Sequence, residues 1–145
     1  MRSETNSGFL ISQIKQVGGR IFEKILADSG IDAFNGAQGR ILYVLWRSDC
    51  VPIIGLSEKT GLAKTTLTGM LDRMEVSGLI NRVYDKSDRR QILVALTDKA
   101  RSLQDEYDKV SAKMNEIYFK EFSDGEVEQL EGYLIRILNN LKEEI

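Results

Sequence analysis

The chain has 145 residues, a length that suits one compact domain. It is 42% hydrophobic and 29% charged, with a formal net charge of −2, one cysteine and no histidine. This composition excludes an internal disulfide, a His-dependent nucleophile pair and a His-rich metal site. No apolar run approaches the ~20 residues that span a bilayer. The N-terminus lacks an apolar core followed by a small-residue cleavage site, so the expectation is a cytoplasmic protein with no membrane association.

In chain order, residues 8 to 27 read as a helix. Leu10, Ile14, Val17, Ile21 and Ile25 (or Phe22) recur at helical spacing, with Gly18 and Gly19 interrupting the stripe. Gly30 and Asp32 mark a loop, and Asn35-Gly36 a turn or cap. A second helix, Ala37 to Ser48, carries Ile41, Leu42, Val44, Leu45 and Trp46 around most of its circumference and should be central. Asp49 to Pro52 is a connector, with Pro52 suited to a first helical position. Ile53 to Thr60 is a short helix stopped by Gly61. The next helix, Ala63 to Ser77, turns Leu67, Met70, Leu71 and Met74 inward and Thr65, Thr66, Thr68, Gly69, Asp72 and Arg73 outward. Two helices joined by a short Gly-containing turn form a helix-turn-helix.

After Gly78, Leu79 to Tyr84 and Gln91 to Leu96 read as strands around the polar loop Asp85-Lys86-Ser87-Asp88-Arg89-Arg90, a β-hairpin or wing. Thr97 caps a long helix to about Lys120, with Leu103, Tyr107, Val110, Met114 and Ile117 as its stripe. Ser123 and Glu126 have capping-box spacing, and a last helix runs toward Lys142. The small central lobe cannot cover every terminal stripe. An obligate two-fold homodimer is therefore expected, with Leu10, Ile14, Val17, Leu130, Leu134, Ile137 and Leu141 at its interface.

The functional signal lies between residues 63 and 96. That stretch holds six Lys or Arg against four Asp or Glu, whereas residues 97–145 hold seven against twelve, so the acidity is concentrated near the C-terminus. A helix offering Thr, Lys and Arg outward beside a hairpin tipped with two arginines suits the reading and gripping of duplex DNA. Three threonines within four positions of an exposed helix face carry a propensity cost that DNA contact explains. Asp72 could accept a hydrogen bond from cytosine, but pairing with a nearby Arg or Lys is the stronger reading, and Cys50 is read as a small, partly buried spacer.

Taken together, LSEKTGLAKTTLTGMLDRMEVSGLINR and DKSDRRQILVALT resemble the helix-turn-helix and wing of the MarR family of transcription regulators, and the likeness runs over nearly the whole chain. The resemblance implies a mainly α fold with a small β wing (α+β), a winged helix-turn-helix inside a helical dimer. It implies a single domain over 1–145, with dimerisation helices in 1–30 and 97–145 and a DNA-binding lobe in 35–96. Lys64, Thr65, Thr66, Thr68, Gly69 and Arg73 then face the major groove. By the same resemblance Arg90 enters the minor groove, Asp88 orients it, and Lys86 and Arg89 sit near phosphates. The expected function is a repressor that binds a palindromic operator as a homodimer. Tyr43, Trp46 and Arg47 lie where relatives bind small aromatic or anionic effectors, although core packing is the stronger reading of these three. No cofactor, metal or catalysis is implied. The rival reading is a winged-helix protein-interaction module without DNA binding. Departures from the family pattern are Gly69 in place of a larger polar residue, Ala63 in place of a capping Ser or Asp, and Ile53-Ile54 where polar residues are common.

Overall fold

Apolar spacing and capping signals account for most of the helix boundaries. In the computed structural model, which describes residues 4–145, α1 spans Ser7–Asp28, α2 Gly36–Arg47, β1 Val51–Pro52, α3 Ile53–Thr60 and α4 Lys64–Val76. They are followed by β2 Ile80–Tyr84, β3 Ile92–Leu96, α5 Asp98–Arg101, α6 Gln104–Tyr118 and α7 Asp124–Lys142. The fold is mainly helical, with one three-stranded antiparallel sheet in the order β1-β3-β2. Two compact units are formed, one ending at Ser111 and the other comprising Ala112–Ile145. No helix among the described residues is long and apolar enough to cross a membrane.

In the first unit α2 is central. Its Ile41, Leu42 and Leu45 are fully buried with Leu56 of α3, Leu67, Leu71 and Met74 of α4, and Leu79, Ile80 and Val94 from the sheet side. Burying side chains of this size stabilises by about 1.5–3 kcal/mol each. The start of α2 is held by a full capping box, in which the Asn35 side chain accepts from the Gln38 N–H and the Gln38 side chain accepts from the Asn35 N–H. The Glu23 carboxylate of α1 also accepts from the Gly36 N–H, placing negative charge at the positive end of α2.

Several expectations are corrected. Val51 and Pro52 do not merely connect. They form β1, with Val51 opposite Val94 and Pro52 opposite Leu93, and Pro52 caps α3 from outside its first turn. Cys50 is exposed, not partly buried; at φ 59° it turns the chain so that Val51 can reach the sheet. The helix after Thr97 is not continuous. The Trp46 indole donates to the Ala100 carbonyl at 3.0 Å and the Leu103 N–H reaches the same oxygen at 3.1 Å, so the chain tightens there and restarts at Gln104. The apolar stripe of α1 is divided: Leu10, Ile14 and Val17 are exposed, whereas Leu26, outside the stripe, is buried. As read from the sequence, α1 is one helix, and it runs unbroken through Gly18-Gly19 from Ser7 to Asp28.

Asp49 joins three elements at the exit of α2. Its Oδ1 accepts from the Leu96 N–H at 2.9 Å and from its neighbour Cys50, and its Oδ2 pairs with Arg101 of α5. Burial pushes this carboxyl up, but the Leu96 N–H, the Arg101 guanidinium and the Cys50 N–H together outweigh it and hold the group below its ordinary value. The second unit contains the end of α6 and all of α7. Ser123 and Glu126 form a reciprocal capping box at the start of α7, and no residue of α7 is buried.

Two predictions follow from this packing. A methyl group at Gly39 would lie 2.8 Å from Cε2 of Tyr107 and 3.3 Å from Phe34. Tyr107 is itself packed against Trp46, with ring centres 5.1 Å apart, so Gly39→Ala should lower unfolding free energy in urea by about 1–3 kcal/mol through overpacking. The depressed Asp49 carboxyl gives stability that is complete above the unfolded pKa of about 3.9 and is lost as pH falls through the lower folded value. Thermal melts should therefore show wild type losing its advantage over Asp49→Asn below about pH 4; parallel curves through that range would contradict the assignment.

Candidate nucleic-acid interface

The turn between α3 and α4 is built to close tightly. Gly61 takes φ 75°, a region that costs glycine little. Ser57 Oγ donates to the Leu62 carbonyl at 2.6 Å and Thr60 Oγ1 to the Leu56 carbonyl at 2.7 Å, so polar groups of the turn are satisfied within it. Beyond the turn, Leu67, Met70, Leu71 and Met74 are all buried. Lys64, Thr65, Thr66 and Arg73 are consequently exposed, and Thr68 and Gly69 are half-buried. The Thr68 hydroxyl donates to the Lys64 carbonyl at 2.8 Å, which leaves its oxygen lone pairs and its methyl as the groups available outward. Ala63 occupies the cap position of α4 in extended conformation and offers no side-chain hydrogen bond.

Gly78, at φ 80°, reverses the chain from α4 into β2. Thr97 Oγ1 donates to the Gly78 carbonyl at 2.7 Å, fastening this reversal to the far end of the hairpin. In the hairpin Ile80 lies opposite Leu96, Arg82 opposite Val94 and Tyr84 opposite Ile92. The loop is ordered by its own carboxylates. Asp85 Oδ1 accepts from the N–H and hydroxyl of Ser87 at 2.9 and 2.7 Å, and these bonds lower its pKa. Asp88 Oδ1 accepts from the Arg90 N–H at 3.1 Å and from Nε at 3.3 Å. The Arg90 side chain remains 92% exposed, while Lys86 and Arg89 are also at the surface of the loop.

Sequence reasoning singled out Asp72 as an ion-pair partner but did not find the cation or the second acid. Arg82 Nη2 lies 2.7 Å from Asp72 Oδ1 and 3.0 Å from Glu75 Oε1, and the Arg82 N–H reaches Glu75 Oε2 at 3.0 Å. Hydrogen bonds from the Arg82 N–H and guanidinium lower the Glu75 pKa, and those to Glu75 and Asp72 raise that of Arg82. The available signal was Arg82 itself, a lone cation in a largely apolar strand six residues past the end of a helix that carries two acids.

Trp46 is half-buried and packs edge to face on Phe34 as well as against Tyr107. Tyr43 and Arg47 are exposed, with the Arg47 guanidinium 4.7 Å above the Tyr43 ring. In α1, Leu10, Ile14 and Val17 are exposed, and in α7 so are Leu134, Ile137 and Leu141, with Leu130 half-buried. Among the described residues no group of three His, Cys, Asp or Glu side chains is arranged to hold a metal ion.

A helix-turn-helix whose second helix runs directly into an antiparallel hairpin defines a winged-helix protein. Residues 34–92 match the model of the MarR family. The chain is 33% identical over 90 residues to the HTH-type transcriptional regulator TtmR of Methylorubrum extorquens, a match covering 62% of this chain and 45% of that protein. The chain thus spans about half the length of the curated relatives it matches first. Among solved structures, a MarR transcriptional regulator from Methanosarcina mazei Go1 superposes with a TM-score of 0.81 at 25% identity, covering 95% of this chain and 97% of that one. A cysteine-substituted MarR from Escherichia coli, in complex with operator DNA, gives 0.80 at 26% identity, covering 90% and 92%. The winged-helix segment of the chain thus matches the MarR family model, and solved MarR regulators share its fold over nine tenths of its length or more.

The uncapped start of α4 yields a prediction. Ala63→Ser would offer a hydroxyl to the free N–H groups of the first turn and should raise unfolding free energy by about 1 kcal/mol in a denaturant titration.

Proposed function

We propose that this protein is a sequence-specific transcription regulator that binds duplex DNA. In this reading it is a repressor that sits on a palindromic operator as a homodimer and leaves it when a small aromatic or anionic effector binds. One observation carries the reading: a helix with its apolar face fully buried presents Lys64, Thr65, Thr66 and Arg73 outward, beside a hairpin tip where Asp88 holds the exposed Arg90. The width of α4 suits the major groove, where hydroxyls and guanidinium groups distinguish base edges. Lys64, Lys86 and Arg89 serve phosphates, and Thr68 and Gly69 allow close approach of the backbone. Arg90 enters the adjacent minor groove, whose negative potential is greatest where it is narrow. The likeness to a MarR bound to operator DNA supports this assignment.

The dimer reading is supported by the exposed apolar rows of Leu10, Ile14 and Val17 on α1 and of Leu134, Ile137 and Leu141 on α7, joined by the half-buried Leu130. Solvated rows of this kind are stabilised by contact with a second copy. Two-fold symmetry sets the half-sites about one helical turn, ~10 bp, apart. Tyr43, Trp46 and Arg47 form the effector site in this reading, an aromatic surface with a cation that attracts a carboxylate or phenolate. A DNA partner and a free thiol fit a reducing cytoplasm.

Selection of bound duplexes from a random library tests the reading. Wild type should enrich one palindrome, and Arg90→Ala should bind it more weakly by about 1–3 kcal/mol with the dimer mass unchanged in sedimentation. Enrichment of no sequence would favour a protein-interaction module instead.

A further inference from the structure

We infer that Arg82 is a positioning residue for DNA binding: it offsets the negative charge of Asp72 and Glu75 on the reading helix and so allows that helix to approach phosphates. The inference rests on the DNA-binding reading above. The outward part of α4 carries two cations, Lys64 and Arg73, and two anions, Asp72 and Glu75, so the helix taken alone is neutral. Asp72 lies one turn beyond Thr68 and Gly69 and two turns beyond Thr65, on the same exposed face. Its side chain is 59% exposed. An uncompensated carboxylate there would repel phosphates within a Debye length, about 10 Å at 0.1 M salt.

Arg82 is placed to remove that repulsion. A single nitrogen, Nη2, reaches both acids, and the backbone N–H holds the second oxygen of Glu75. The Arg82 side chain is only 25% exposed, far less than that of Arg90, so its position is that of a fixed counter-charge and not of a free phosphate contact. Its backbone is fixed as well, because Arg82 pairs in the sheet with Val94, which is fully buried. The cation therefore stays beside α4 without depending on DNA for its order, and the reading helix with its strand partner is net positive where the helix alone is not.

Three variants separate a counter-charge from a mechanical brace: Arg82→Met, the pair Asp72→Asn with Glu75→Gln, and all three changes together. Each is measured for affinity to the selected duplex between about 50 and 300 mM salt, with thermal melts alongside. Arg82→Met should bind about tenfold more weakly at the lowest salt, and the deficit should shrink as salt rises. The triple variant has lost the same ion pairs yet should recover most of the affinity, since no bare carboxylate remains. The acid-neutralised pair should bind at least as tightly as wild type, and it tests the inference even if Arg82→Met fails to fold. A triple variant as weak as Arg82→Met, or an acid-neutralised pair weaker than wild type, would overturn the inference. If Arg90→Ala weakens binding while Arg82→Met does not, this inference falls and the DNA reading stands. If wild type itself selects no duplex, both fall.

Discussion

Burial of one stripe on α4 is the constraint on which the proposed reading surface depends. Leu67, Met70, Leu71 and Met74 are all inside the core that α2 organises. Successive residues on a helix are rotated by about 100°, so fixing these four also fixes the azimuth of Thr65, Thr66 and Arg73. The two ends of α4 are set by backbone geometry, since Gly61 and Gly78 both adopt left-handed φ and reverse the chain within a residue or two. With azimuth and ends determined, the hairpin must begin close to the helix end, where Arg82 of β2 meets Asp72 and Glu75.

Charge then refines what packing has placed. Asp49 ties the end of α2 to β3 and α5, and Arg82 ties β2 to the last turns of α4. Ion pairs at this level of exposure add little to folding free energy. Their consequence is geometric and electrostatic: each anchors a helix to the sheet and removes an uncompensated charge from the surface. In the proposed DNA-binding reading, this is how a chain with an acidic isoelectric point keeps a non-repulsive face for a polyanion. The acids concentrated after residue 97 contribute to the net charge and lie in sequence outside the winged helix.

The helical arms have a different logic. α7 has no buried residue, although its row of leucines and isoleucines has the spacing of a packed helix. The N-terminal half of α1 is similarly uncovered, while its C-terminal half contributes Leu26 to the core and Glu23 to the first turn of α2. Regular apolar rows in solvent are intelligible as contact surfaces for a second copy, and likeness to the MarR family suggests the proposed partner of the winged helix between them, duplex DNA.

Local periodicity and punctuation were enough to read much of this protein from its residues. The boundaries of α3, the buried stripe of α4, the caps at Asn35, Thr97 and Ser123, and the hairpin all depend on neighbours within a few positions. Short-range sterics and hydrogen bonds decide such features. The pairing of Asp88 with Arg90 was drawn from family resemblance, and it too spans only two residues. What tertiary structure alone decided involves partners far apart in the chain. Val51 becomes a strand because Val94 is beside it, and the helix after Thr97 breaks because the Trp46 indole reaches the Ala100 carbonyl. Asp72 acquires its counter-ion from β2, and the stripe of α1 divides according to where α2 lies. Periodicity in a sequence records which side of an element is apolar; which part of that side is covered, and by what, is settled only when distant segments pack.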